Sequence, residues 1–410
     1  MNKGLEVFKI FSKNSILILS SSILNFIAPL ATIPLVLNFF SISLYSKTIF
    51  NFSLINLVLF FFNFGYNSGA IQILKRQKSQ KSKKSIFIEL LKIKFILILV
   101  SFLALIIFSN FQNDSKDYFL ICCIWLLLNE LFNQLLIFQS FNSFKYFLFI
   151  NILNKLLTIV FLSSLFFFNN RNDIIFPLIL AAPYLITSFF AIIFILKITK
   201  GDFFGSWTIS KSTVKSLFLI HIGNLSSFSY QQLTRVFVGI YLPSDKLIIF
   251  DLSDKLFNVL KAPLGAISNS EGIRKISTRS KVEILNYWTK LFRLQLLLIS
   301  LLALVIFISS KFSLFYKGIS LSEIFYCLAG LSISLPFVAM SNTFGVLFTP
   351  IFGGIKVFNL NILIGGGIFI IGSFLLLHFE IFSLSTLIIT LFFVEVYIGI
   401  SCFFNSKKHL

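Results

Sequence analysis

The chain has 410 residues, 57% of them hydrophobic and only 12% charged, with a formal net charge of +20. A soluble domain is usually about 25% charged, so a soluble globular fold is excluded. The basic residues fall mostly in short loops between apolar runs, which assigns them to membrane orientation and excludes nucleic acid as a partner.

In chain order, Met1–Lys13 leads into an apolar segment longer than a signal-peptide core, with no small-residue cleavage pattern after it, so no cleavable signal is expected. Hydropathy marks twelve spans: 15–40, 48–73, 86–109, 118–140, 146–168, 174–196, 217–242, 247–269, 287–310, 321–347, 356–378 and 381–403. Each approaches or exceeds the roughly 20 apolar residues that a bilayer core demands of a helix. The connecting loops are too short to hide a soluble domain. The expected fold is an all-α integral membrane protein with about twelve transmembrane helices.

Orientation follows from the loops. With the N-terminus in the cytoplasm, and Lys290 and Lys356 at span ends counted as inner, the inner side carries 22 Lys and Arg against 6 outside. The largest contribution is "KRQKSQKSKK" (Lys75–Lys84), which could also touch anionic headgroups. Both termini are therefore expected in the cytoplasm. The longest polar interruption, Lys197–Lys215, follows the sixth span. It divides the expected fold into an N-terminal six-helix lobe (1–200), a cytoplasmic linker (201–216) and a C-terminal six-helix lobe (217–410). Within the interruption, "FFGSWTISKSTVKSLF" has the Trp, Phe and Lys of an interfacial amphipathic helix.

Pro29 and Pro34, Pro177 and Pro183, Pro263 and Pro336 lie inside spans and can bend them, as hinges or as static kinks. "NILIGGGIFIIGS" (Asn361–Ser373) lacks the strand, Lys and Ser/Thr of a phosphate loop and is read as close helix packing. Cys122, Cys123, Cys327 and Cys402 sit in apolar runs without CxxC spacing, so neither a disulfide framework nor a metal site is expected. His221 and His378 are isolated and read as structural.

A charge near the bilayer centre costs at least about 2.5–3.5 kcal/mol, so it should be paired, wet or functional. By depth these charges are Glu130, Lys155, Arg235, Asp251, Asp254, Lys255, Lys261 and Glu395. Lys92, Lys94 and Arg293 lie near cytoplasmic span ends, where they would snorkel. In the eighth span, Asp251, Asp254, Lys255, Asn258 and Lys261 follow the i, i+3, i+4, i+7 spacing of one helix face. Asp251–Lys255 is also an acid-before-base i,i+4 pair. Such a stripe is either self-neutralised between helices or a wall of a water-filled cavity. The cations Lys155, Arg235, Lys255 and Lys261 suit a polyanionic headgroup, with Arg offering bidentate phosphate contacts. Asp251, Asp254, Glu130 and Glu395 either carry H+ or Na+ or pair with those cations; the sequence leaves both open.

Four stretches resemble the polysaccharide transporter family, the O-antigen flippases of the multidrug/oligosaccharidyl-lipid/polysaccharide exporter (MOP) superfamily. They are "FNFGYNSGAIQILKR" (Phe62–Arg76), "LIFQSFNSFKYFLFINILNKLLTIV" (Leu136–Val160), "FDLSDKLFNVLKAPLGAISNSEGIRKIS" (Phe250–Ser277) and "LPFVAMSNTFGVLFTPIFGGIKVF" (Leu335–Phe358). Asn63 stands where that family often has Asp, Ser140 where Gly is common and Asp254 where Glu is usual. The resemblance implies a MATE-like fold of two six-helix lobes and a non-enzymatic flippase in the bacterial inner membrane. Its cargo would be undecaprenyl-pyrophosphate-linked oligosaccharide, moved outward by alternating access. The headgroup would enter a cationic central cavity while the polyprenyl tail stays in lipid. No metal or cofactor is expected beyond the H+ or Na+ coupling left open; the expected partners are the lipid-linked oligosaccharide, membrane lipids, a polysaccharide polymerase and other assembly proteins. The alternatives are a cation-coupled multidrug exporter of the same superfamily and, with less support, a membrane polysaccharide polymerase or glycosyltransferase.

Overall fold

The computed structural model describes residues 20, 36, 38–62, 66, 70, 73–74, 80–110, 116–132, 144–164, 175–199, 210–267, 283, 289, 293, 297, 300, 304, 315–316, 319–348 and 355–407. Every expected span except the first and ninth, which lie largely outside these residues, has a helix. In order these are α1 (Ile42–Phe62), α2 (Gln80–Ser109), α3 (Lys116–Phe132), α4 (Phe144–Ser164), α5 (Ile175–Thr199), α6 (Lys211–Tyr241) and α7 (Ser244–Ile267). A two-residue hairpin, β1 (Phe315–Tyr316) with β2 (Ile319–Ser320), precedes α8 (Leu321–Ser332). α9 (Leu335–Met340) runs on as a π-helix over Ser341–Phe348, and α10 (Ile355–His378) and α11 (Leu384–Lys407) follow.

Among the described residues, five helices are long and apolar enough to cross a membrane, or six if α8 and the α9 segment form one bent span. α7 is outside that set because its apolar positions are interrupted by the charges of the stripe. Several helices start before the boundary that hydropathy marks. α1 starts before residue 48, and α6 starts at Lys211, inside the polar stretch expected as linker. Hydropathy marks where the bilayer lies, whereas a helix continues as long as its backbone bonds are made. Lys211–Phe218, expected as part of an interfacial helix, is the first two turns of α6; residues 203–209 lie outside the described residues.

The chain forms two compact units: residues 31–236, and residues 1–30 with 237–410. In the first unit, α4 packs on α5, α3 on α2 and α5, and α1 on α2 and α3. Tyr66, Ile73, Leu74, Phe87, Leu90 and Ile150 form its buried apolar cluster. In the second, α7 packs on α8, while α11 carries α8, α9, the π-helix and α10.

Two of the expected proline effects separate here. α5 runs unbroken through Pro183, whereas the tenth span bends by 44° between α8 and α9, with Pro336 in the first turn of α9. Ser332 and Ser334 at the break donate their hydroxyls to the carbonyls of Leu328 and Leu331, both at 2.6 Å. At the other sharp corner, Glu380 takes a left-handed φ of 56° after α10, and Ile381 N donates to Leu376 O at 3.1 Å. Ser383 and Thr386 then cap α11 reciprocally, at 2.9 and 3.2 Å.

The glycine-rich eleventh span is used for close packing in part. A Cβ at Gly365 would lie 2.7 Å from Ile398 of α11, whereas one at Gly367 would meet nothing within 4 Å. The tightest backbone approach is at Gly399, where a Cβ would lie 2.7 Å from the Phe337 carbonyl oxygen of α9. Backbone cannot rotate away as a side chain can. Gly399→Ala is therefore expected to destabilise by about 1–3 kcal/mol, the usual overpacking cost. Gly367→Ala should leave stability unchanged or raise it by up to about 1 kcal/mol through helix propensity. Thermal melts of the detergent-solubilised variants check both.

Candidate functional site

The membrane charges gather into separate groups, one set in each unit. In the C-terminal unit the stripe on α7 forms from its spacing. Lys255 Nζ donates to Asp251 Oδ2 at 2.5 Å, and Asn258 Nδ2 donates to Asp254 Oδ2 at 3.1 Å. One turn on, Lys261 Nζ lies 4.1 Å from the centroid of the Phe257 ring. The Asp251 carboxylate is 5% exposed and the Lys255 side chain 24%. Between them, Ser253 donates to Ile249 O of its own helix (2.7 Å) and to Ile324 O of α8 (2.9 Å), which fixes the rotation of α7. Glu395 is buried on α11.

A second tie holds α7 to α8 at their N-terminal ends. Ser320 Oγ accepts from Glu323 N at 3.3 Å, which caps α8, and Glu323 takes Lys246 Nζ at 2.6 Å. The Glu323 hydrogen bond holds the Lys246 ammonium above its ordinary pKa, against partial desolvation. A raised folded-state pKa means that the stabilisation is present below the ordinary lysine pKa and is lost as pH rises through the folded value. Both groups are well exposed, so Lys246→Met should cost less than about 1 kcal/mol near neutral pH, and the deficit should vanish in strongly alkaline buffer. A series of thermal melts against pH measures this. Ser320 and Glu323 stand in a Ser-x-x-Glu spacing before an apolar run, a capping-box signal that hydropathy alone does not register, whereas nothing in the spacing points to Lys246.

In the N-terminal unit, Lys155 of α4 is 8% exposed. Its Nζ donates to the Tyr184 hydroxyl at 3.1 Å and stands 5.2 Å from the centroid of that ring. Beside it, Asn154 Nδ2 donates to Thr187 Oγ1 at 3.1 Å, so consecutive residues of α4 are both tied to α5. Among the described residues no carboxylate lies within ion-pair distance of Lys155 or Lys261. Arg235 on α6 is half-buried, with Gln232 Oε1 at 3.4 Å.

Glu130 of α3 is paired: its Oε1 lies 3.5 Å from Lys94 Nζ of α2. This corrects the snorkelling expectation for Lys94, which is 1% exposed and has the Tyr66 ring centroid 5.0 Å from its ammonium. Depth along a helix does not report which way a side chain turns, and here it turns inward. Arg293 is exposed. His221 is buried beside Phe60, ring centroids 5.5 Å apart, while His378 ends α10 at the surface. The four cysteines are free and buried, and no group of three metal-ligating residues occurs among the described residues.

Chemically, the described arrangement contains acids whose lysine partners are at hand, Asp251 and Glu130, and cations backed by aromatics, Lys155 and Lys261. Among the described residues no carboxylate neutralises the second kind, which is the chemistry of an anion contact.

The sequence matches the profile of the polysaccharide biosynthesis protein family over residues 11–270. Comparison with curated proteins gives no match. Among solved structures, a MATE protein in complex with MaL6 aligns with a TM-score of 0.67 at 13% identity, over 100% of this chain and 98% of that one. The outward-facing conformation of a multidrug resistance MATE family transporter of the MOP superfamily gives 0.67 at 14%, over 97% and 94%. A MOP superfamily transporter from Pyrococcus furiosus, for which reverse polarity of the binding pocket suggests a different function, gives 0.64 at 13%, over 97% and 94%. At such identities the likeness is one of fold: the chain is a multi-pass, all-α membrane protein with a MATE-like fold.

Proposed function

The chain belongs to the polysaccharide biosynthesis protein family, and from that premise we propose that it is a flippase for undecaprenyl-pyrophosphate-linked oligosaccharide, the repeat unit of O-antigen or a related surface polysaccharide. It works by alternating access in the bacterial inner membrane, with both termini in the cytoplasm. The excess of basic residues in the inner loops supports that orientation.

The observation that carries the cargo assignment is Lys155. A lysine 8% exposed in mid-helix, with a phenol as its partner and no carboxylate at ion-pair distance among the described residues, suits the binding of an anionic group that arrives and leaves. Lys261, set on the Phe257 ring, is the corresponding cation of the other unit. Lys255 and Arg235 are further contacts for phosphate or sugar, each within its own unit. Asp251 pairs with Lys255 and Glu130 with Lys94; these two acids, with Asp254 and Glu395, serve charge pairing or carry the coupling ion. Transport needs no covalent chemistry, so the protein is not an enzyme. A polymerase and other assembly proteins would consume the flipped product.

The MATE-type fold keeps a cation-coupled drug exporter as the second reading. Such a site needs accessible acids, and here Asp251 and Glu130 have lysines beside them. Deletion separates the two. Loss of surface polysaccharide with accumulation of lipid-linked repeat unit on the cytoplasmic side supports the flippase. Unchanged polysaccharide without accumulation sinks it, and new sensitivity to cationic drugs in that strain would favour the exporter.

A further inference from the structure

Asn154 and Thr187 are each only 3% exposed and meet between α4 and α5, next to Lys155. We propose that Asn154 reads the sugar of the cargo: its side-chain carbonyl accepts a hydrogen bond from a hydroxyl or amide N–H of the sugar joined to the pyrophosphate. This role rests on the flippase reading, with Lys155 as the phosphate contact, and Asn154 adds to it a means of telling one glycan from another.

The hydrogen bonds fix which way the amide faces. Thr187 Oγ1 has one hydrogen, and it is directed at the carbonyls of Pro183 (2.9 Å) and Tyr184 (3.1 Å). Toward Asn154, 3.1 Å away, the hydroxyl can therefore only accept, so the atom that meets it is the amide nitrogen. The oxygen, Oδ1, is turned away from that bond. It is buried and has no donor among the described residues. A buried amide oxygen without a donor is unfavourable, and tying α4 to α5 uses only the nitrogen end of the group. Helix packing thus accounts for half of this side chain.

The two neighbours on α4 differ in chemistry. Lys155 only donates and carries positive charge, whereas Asn154 Oδ1 only accepts. Phosphate oxygens are acceptors themselves, so they suit the first and are repelled by the second. A fully ionised diphosphate has no donor to offer, and the sugar bonded to it has several. Their partners set the two positions one turn apart. Tyr184, which takes Lys155, and Thr187, which takes Asn154, are three residues apart on one face of α5, about 4.5 Å along its axis. A phosphate and the sugar bonded to it bridge such a distance. Both pairs belong to one compact unit.

Selectivity follows from burial. A site that hydrogen-bonds a cargo hydroxyl rejects an analogue lacking it, because the buried acceptor is then left unpaired. For one neutral bond of this kind the preference should be about tenfold.

Equilibrium binding to the purified full chain in lipid nanodiscs tests this with three probes: undecaprenyl diphosphate, the same lipid bearing glucose, and that glycolipid O-methylated on every sugar hydroxyl. Wild type should bind the glucose lipid about tenfold more tightly than the methylated one. In N154L the two should bind alike, which separates a lost hydrogen bond from the bulk of the methyl groups. K155M should weaken all three and keep the glucose preference. T187V, nearly isosteric, frees the amide to turn and should lose most of that preference, which decides the matter if N154L fails to fold. A preference that persists in folded N154L or in T187V, or none in wild type, overturns the role of Asn154 while binding of the lipids leaves the flippase reading standing. Folded wild type that binds none of the three overturns both.

Discussion

Replacing Lys155 by Met is expected to lower export of the lipid-linked repeat unit by about 10- to 100-fold, with the amount of folded protein in the membrane unchanged. A hydrogen bond to a charged group contributes about 1.5–3 kcal/mol, and each 1.4 kcal/mol is a factor of ten. Folding should survive because no carboxylate is orphaned: the described partner is Tyr184, whose hydroxyl can turn to other acceptors. The unbranched Met stem also fills the space of the lysine chain beside α5. Tyr184→Phe should cost only a few-fold, since the ring 5.2 Å from the ammonium remains while one bond is lost. Surface polysaccharide and inner-leaflet lipid-linked intermediate, measured in a deletion strain complemented with each variant, give the comparison. Full export by the Met variant would remove Lys155 from the cargo path.

What could be read from the sequence follows the range of the interaction. Asp251 and Lys255 are four residues apart on one helix, so their pairing needed only helical geometry. Gly365 could be read as a packing position because a missing side chain has few other uses in a lipid-facing helix. Lys94 could not be read correctly. Its partner Glu130 is on another helix, and sequence depth fits snorkelling as well as burial. Tyr184 escaped notice for the same reason, being an ordinary aromatic in an apolar run until α4 brings Lys155 to it. The bend at Pro336 was legible as a capacity. That Pro183 leaves its helix unbroken was not, because neighbouring helices decide whether a proline kinks.

Removing one member of the Asp251–Lys255 pair should be the most damaging change on α7. Lys255→Met leaves a carboxylate only 5% exposed without its lysine, and breaking a buried pair typically costs about 3–5 kcal/mol. Because Lys255 is itself 24% exposed, part of the pair is already screened, and a loss of about 2–3 kcal/mol is expected. The double variant Asp251→Asn, Lys255→Met leaves no buried charge and should recover most of that stability in thermal melts. Export then separates two roles that stability alone confounds. If the pair only neutralises itself between helices, the double variant regains export along with its fold. If Lys255 contacts the anionic cargo, the fold returns and export stays about tenfold low, the value of one charge-assisted bond. The second outcome is the expected one, because Lys261 continues the positive face one turn further with an aromatic ring beside it and, among the described residues, no carboxylate at ion-pair distance. Lys261→Ala, which orphans no acid, should accordingly lower export by a similar factor at unchanged thermal stability.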